Sequence, residues 1–85
     1  MRVEHRLEVR ALCPVDGLPD VYIAYVRSSR VVPVEDILAV ATDMSRRSMY
    51  QEDLTQELHR RLACEVETVG WHSGVRTTVM VGAAD

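Results

Sequence analysis

The segment Leu12-Cys13-Pro14-Val15-Asp16-Gly17-Leu18-Pro19-Asp20 decides how the whole chain is read. An alternating segment ends at Leu12, and an apolar one begins just past Asp20. Pro14, Gly17 and Pro19 tighten the connection, so the flanking segments read as two strands of an antiparallel hairpin. The turn sets a thiol, Cys13, at the end of the first strand and a carboxylate, Asp20, seven residues later at the start of the second. A nucleophile and a proton donor on one rim of a pocket suit attack on an electrophilic carbon, followed by protonation of the atom beside it.

Upstream, Arg2 to Leu12 alternates. Val3, Leu7, Val9 and Ala11 fall on one face, and Arg2, Glu4, Arg6, Glu8 and Arg10 on the other, the pattern of a half-buried strand. His5 shares the apolar face and reads as a packed or rim histidine. Downstream, Val21 to Arg27 is a second strand, apolar on both faces. Pro33 then opens a helix running to Ser45, with Val34, Ile37, Leu38, Ala41 and Met44 at helical spacing. Ser45-Arg46-Arg47-Ser48 interrupts it and reads as a solvated interhelix turn. A second helix starts near Ser48, with Ser48 and Gln51 spaced as a capping box and Tyr50, Leu54, Leu58 and Leu62 as its stripe. Cys64 to His72 and Val75 to Gly82 are two further strands around the turn His72-Ser73-Gly74. The order ββααββ predicts an α+β domain, residues 1–85, with a four-stranded antiparallel sheet and two helices on one face.

Eighty-five residues make a thin core for a chain that is 47% apolar, so apolar surface is expected to be shared between subunits of a homo-oligomer. The net charge of −3 gives no electrostatic reason to expect a polyanion. All ten basic residues are Arg, which excludes lysine Schiff-base chemistry and any cofactor site built on Lys. Met1 to Arg10 alternates charges and is not a signal peptide, and no apolar run approaches membrane-spanning length. Cys13 and Cys64 are far apart and read as reduced, with Cys64 in the core. His5, His59 and His72 show no metal spacing, so no metal site is expected. The reading is a soluble, cytoplasmic protein with no membrane partner. Trp71 is read as a barrel or subunit-interface residue.

Three segments together resemble one family across nearly the whole chain. Leu12 to Asp20 is similar to the Cys-Pro…Pro-Asp signature of the queuosine-pathway nitrile reductases, which act on 7-cyano-7-deazaguanine. Val21-Tyr22-Ile23-Ala24-Tyr25-Val26 resembles the strand that follows that signature. Met49-Tyr50-Gln51-Glu52-Asp53-Leu54 resembles the segment holding the family's ring anchor. The resemblance implies the tunnelling fold, in which sheets of several subunits join into an oligomeric barrel with ligand sites between subunits.

It further implies roles. Cys13 would form a thioimide with the nitrile, and Asp20 would protonate the nitrile nitrogen. Glu52 would accept two parallel N–H bonds from a guanine-like base, with Gln51 and Glu35 as further substrate-binding residues. NADPH is the cofactor of the reductases, but their lysine-containing segment is here Glu35-Asp36-Ile37-Leu38. Related amidinotransferases keep the Cys and Glu without that segment. The base could be free or carried by a nucleic acid. Gln51-Glu52, Ser45-Arg46-Arg47 and Arg76-Thr77-Thr78-Val79-Met80 also look like GTP cyclohydrolase I, whose zinc-binding histidine is missing after Cys13. The alternatives are therefore a cyclohydrolase-like pterin enzyme and a non-catalytic base-binding module.

Overall fold

The computed structural model describes residues 1–82. Its elements run β1 (Val3–Leu12), β2 (Pro19–Ser28), α1 (Val34–Met44), α2 (Gln51–Leu62), β3 (Glu65–His72) and β4 (Val75–Val81). The strands form one antiparallel sheet in chain order, and both helices lie on the same face of it. The predicted element order and sheet thus hold. β2 begins at Pro19 rather than Val21, because pairing with β1 continues to Leu12 opposite Pro19.

The period of two sorts the strands cleanly. Val9, Ala11, Tyr22, Ala24, Val26, Val66 and Thr68 face the helices and are buried. Cys64 is buried with them and its thiol donates to the Leu62 carbonyl at 3.2 Å. His5 is half-buried on the same face, and its Nε2 has no hydrogen-bond partner among the described residues. On the open face Arg27 binds Glu4, Glu65 and Glu67 and lies 5.3 Å from the Tyr25 ring centre.

The register carries one departure from a regular sheet. β1 and β2 pair along their full length, and β3 and β4 pair from Val66–Val81 to His72–Val75. β2 and β3 pair only from Arg27–Glu65 to Ile23–Val69. Beyond that pair the sheet forks, with Pro19–Tyr22 staying with β1 and Gly70–His72 staying with β4. At the root of the fork the Tyr22 ring lies over Gly70. A Cβ at position 70 would stand 2.5 Å from Tyr22 Cδ1, so glycine is required by the close approach.

The helices correct two expectations. In α1 the buried stripe is Ile37, Val40 and Met44, whereas Val34 and Leu38 are exposed. The helix packs on β1, an edge strand, so its outer apolar positions pass beyond the sheet. In α2 the stripe of Leu54, Leu58 and Leu62 holds, but Tyr50 is outside it, as the extended N-cap residue, and is 54% exposed. No side chain caps α2, so Ser48 and Gln51 form no capping box. Ser48 instead bridges Leu12 in parallel. Leu12 N–H donates to the Arg47 carbonyl at 2.9 Å, and Met49 N–H to the Leu12 carbonyl at 3.0 Å. This short pairing ties the start of α2 to the end of β1.

Candidate active site at the sheet fork

Cys13 is positioned by the hairpin turn. Its N–H donates to the Leu18 carbonyl and its carbonyl accepts from Gly17 N–H, both at 2.8 Å. Gly17 has φ 75°, the left-handed conformation glycine adopts without strain. Asp16 Oδ1 accepts from Leu18 N–H at 3.0 Å, closing an Asx turn. The thiol is thereby held half-buried at the fork end of β1.

An open cleft of about 360 Å³ occupies the fork, lined by Cys13, Val15, Asp20, Tyr22, Tyr50, Gln51, Glu52, His72 and Thr77. Cys13, Asp20, Gln51 and Glu52 were all singled out from sequence, and the fold brings them to one place. Glu35 is not there: it lies exposed in the first turn of α1. A wider groove of about 500 Å³ beside α2 has no thiol, and its arginines Arg47 and Arg60 already pair with Glu57, so the chemistry points to the fork.

Within the cleft, Tyr22 donates its hydroxyl to Asp20 Oδ2 at 3.4 Å. Burial holds the phenol well above its ordinary pKa, reinforced by the negative charge of Asp20 and the hydrogen bond to it, with smaller contributions from Cys13 and Glu52. The phenol therefore stays protonated and serves Asp20 as a donor. Glu52 lies exposed in the first turn of α2, where the helix dipole favours a negative charge.

Gln51 is 2% exposed, and its side chain belongs to the sheet rather than to the helix end. Its Nε2 donates to the Thr68 carbonyl at 3.2 Å, Thr68 Oγ1 at 3.1 Å and the Thr77 carbonyl at 3.0 Å. Thr68 and Thr55 hydroxyls meet at 2.7 Å, and Thr55 donates to the Gln51 carbonyl at 2.7 Å. The buried polar groups of this network satisfy one another. Gln51 Oε1 is left facing His72 Nε2 at 2.9 Å.

His72, Tyr22 and Thr77 are site residues that sequence reasoning missed. Parity held the signal: Cys64, Val66, Thr68, Gly70 and His72 share one face of β3, so a buried Cys64 places His72 on the helix side at the strand's end. Among the described residues no group of three or more His, Cys, Asp or Glu side chains is arranged to hold a metal ion. No helix among them is long and apolar enough to cross a membrane.

The element order ββααββ, the antiparallel sheet and the two helices on one face make an α+β chain with the architecture expected of one tunnelling-fold unit. Among solved structures, the crystal structure of the archaeosine synthase QueF-Like in the apo form superposes with a TM-score of 0.82, at 17% identity, covering 94% of this chain and 90% of that one. At that identity the likeness is one of fold, and it agrees with the resemblance read from the three segments. No protein-family model matches the sequence, and no curated protein matches it significantly.

Proposed function

We propose that the fork cleft binds a 7-cyano-7-deazaguanine-type base and processes its nitrile through a covalent thioimide on Cys13. The observation that carries this reading is the convergence of Cys13, Asp20 and Glu52 on one cleft, in a chain with the fold of an archaeosine synthase. Glu52 accepts the ring N–H and exocyclic amine of the base as a bidentate carboxylate, fixing identity and orientation together. The Asp20 carboxylate takes the Cys13 thiol proton, the thiolate adds to the nitrile carbon, and the displaced π pair on nitrogen takes that proton back from Asp20. Ammonia then attacks the thioimide, releasing an amidine and returning the thiolate.

NADPH does not fit the residues present. The segment aligned with the reductases' cofactor motif supplies the carboxylates of Glu35 and Asp36 and no cation for a phosphate, and Glu35 is not among the cleft residues. No hydride step is derived. The assembly proposed is a homo-oligomer with the cleft at a subunit boundary, and the base is either free or carried by a nucleic acid.

Mass spectrometry after incubation with 7-cyano-7-deazaguanine tests the reading. One ligand mass per chain is expected, lost in Cys13→Ala and retained in Cys64→Ala, without any added NADPH. An adduct on Cys64, or none at saturating ligand, overturns it.

A further inference from the structure

In the proposed cycle Asp20 handles one proton twice, taking it from the Cys13 thiol and giving it to the nitrile nitrogen. A carboxylate that turns freely about its Cβ–Cγ bond serves two such points poorly. We infer that Tyr22 is the positioning residue of this step, its hydroxyl holding one oxygen of Asp20 so that the other is left for the proton. The inference rests on the thioimide reading and assigns a part which that reading leaves open.

The strand register supplies the placement. Asp20 and Tyr22 are two residues apart on β2, so both side chains leave the same face of the sheet. Asp20 is paired with Ala11 and Tyr22 with Val9, and the burial of Ala11 and Val9 makes that face the helix side. Cys13 follows Ala11 by two, and its N–H still bonds the Leu18 carbonyl across the hairpin. Tyr22, Asp20 and Cys13 therefore follow one another along the helix side of the hairpin toward its turn, and all three line the cleft.

The ring is held from both prongs of the fork. Tyr22 is 1% exposed, and a Cβ at Gly70 would stand 2.5 Å from its Cδ1 and 2.7 Å from its Cε1. The His72 ring centre is 5.9 Å away, at a tilt of 48°. A ring so caged keeps its hydroxyl where the strand aims it. Asp20 is only half-buried, and the Tyr22 hydroxyl, 3.4 Å from Oδ2, is the one hydrogen-bond donor found on its carboxylate among the described residues. That separation is at the long end of the range, so the contact orients the carboxylate without sharing the phenol's proton. Burial first, then the charge of Asp20 and the hydrogen bond to it, keep the phenol protonated. The titratable groups around the hydroxyl are Asp20 on its own strand, Cys13 beyond β1, Glu52 on α2 and His72 on β3.

The proton balance involves Asp20 alone. The S–H proton passes to Oδ1 as sulfur bonds to the nitrile carbon, and the displaced π pair on nitrogen takes that proton from Oδ1. Oδ2 keeps the Tyr22 hydrogen bond at every stage, and the phenol neither gains nor loses a proton. The net change is addition of S–H across C≡N, with Asp20 and Tyr22 restored.

Tyr22→Phe keeps the ring against Gly70 and removes only the hydroxyl. The saturating rate of thioimide formation with 7-cyano-7-deazaguanine, followed by mass spectrometry, is expected to fall roughly 10- to 100-fold, the cost of a misplaced catalytic group. The ligand concentration giving half that rate is expected to stay within about twofold, because the base is anchored by Glu52. In an Asp20→Asn background the same substitution is expected to slow the reaction by no more than about twofold, because residues acting as a unit are not additive. An equal loss in both backgrounds, or a loss of affinity in place of rate, overturns the inference. A measurement without ligand tests the pair itself. Tyrosinate absorbance in alkali, taken as the difference between each chain and its Tyr22→Phe counterpart, is expected to rise at lower pH in Asp20→Asn, because the negative charge opposing the phenolate is gone. An ionisation indifferent to Asp20 ends the assignment. A coupled ionisation with no thioimide at saturating ligand rejects the thioimide reading and leaves the Tyr22–Asp20 pair standing.

Discussion

The Glu52 carboxylate makes none of the side-chain hydrogen bonds found among the described residues, although it stands on the cleft rim. Its contribution to the fold is limited to the favourable interaction with the α2 dipole. Glu52→Ala is therefore expected to cost about 1 kcal/mol of stability or less, while weakening binding of a guanine-like base by roughly 2–4 kcal/mol, because two ligand N–H groups lose their acceptor. Calorimetry on the folded variant checks this, and unchanged affinity would remove Glu52 as the anchor. Cys13 and Asp20 were singled out because a turn marks them locally and Glu52 because its segment resembles the family's ring anchor, and the fold sets all three on one cleft. Gln51 was misread as half of a capping box on local spacing. Its real partners, Thr68 and Thr77, lie 17 and 26 residues away, and no local pattern reports them. His72 was set aside on metal spacing, when strand parity was the informative signal.

At the level of elements, strand alternation and helical spacing gave the six elements to within a residue or two, except that α2 begins at Gln51, three residues beyond Ser48, because Ser48 pairs with Leu12 instead. What they left out was how wide a face each helix buries. α1 overhangs an edge strand, so Val34 and Leu38 share the helical spacing of Ile37 and Met44 without sharing their burial. The interhelix turn is solvated as expected, Ser45 to Ser48 all being exposed, and Arg47 within it joins a surface ion network. Glu57 accepts from Arg60 Nε at 2.5 Å and from Arg47 Nη1 at 3.0 Å, and Asp43 pairs with Arg61. The hydrogen bonds from Arg60 and Arg47 lower the Glu57 pKa from 4.5 to about 2. A depressed carboxylate stabilises the fold above its unfolded pKa, and that stabilisation is lost as pH falls toward the folded value. The window is thus from about 4.5 down to about 2. Because Arg60 is largely exposed, the effect is expected to be screened to about 1 kcal/mol. Urea unfolding at neutral pH and in this acid window should show Glu57→Gln losing less stability on acidification than the unaltered chain. Equal losses would mean that the network contributes nothing to the fold.

At the scale of the whole molecule, among the described residues the sheet has two open edges, β1, paired only at Leu12 with Ser48, and β4, and one uncovered face. Trp71 on that face is 67% exposed, and Met80 of β4 on the same face is similarly open. Exposed apolar side chains beside open strand edges favour pairing with further copies, which is the basis for the proposed homo-oligomer. Light scattering is expected to give a multiple of the 9.6 kDa chain mass, and Trp71→Glu is expected to shift it toward the monomer. A monomer at micromolar concentration for the unaltered chain would reject the assembly. The sequence anticipated the shortage of core from length and apolar content alone. It did not disclose the fork, because strand pairing is a relation between segments, and each segment reads as a strand whether or not its neighbour stays beside it.

The Tyr22 ring and the missing Cβ of Gly70 share one volume at the root of that fork. Neither position is therefore free to drift alone in a lineage. A chain of this fold that gains a side chain where Gly70 stands must have given up the aromatic ring where Tyr22 stands, and in a sufficiently deep alignment the two columns should vary together.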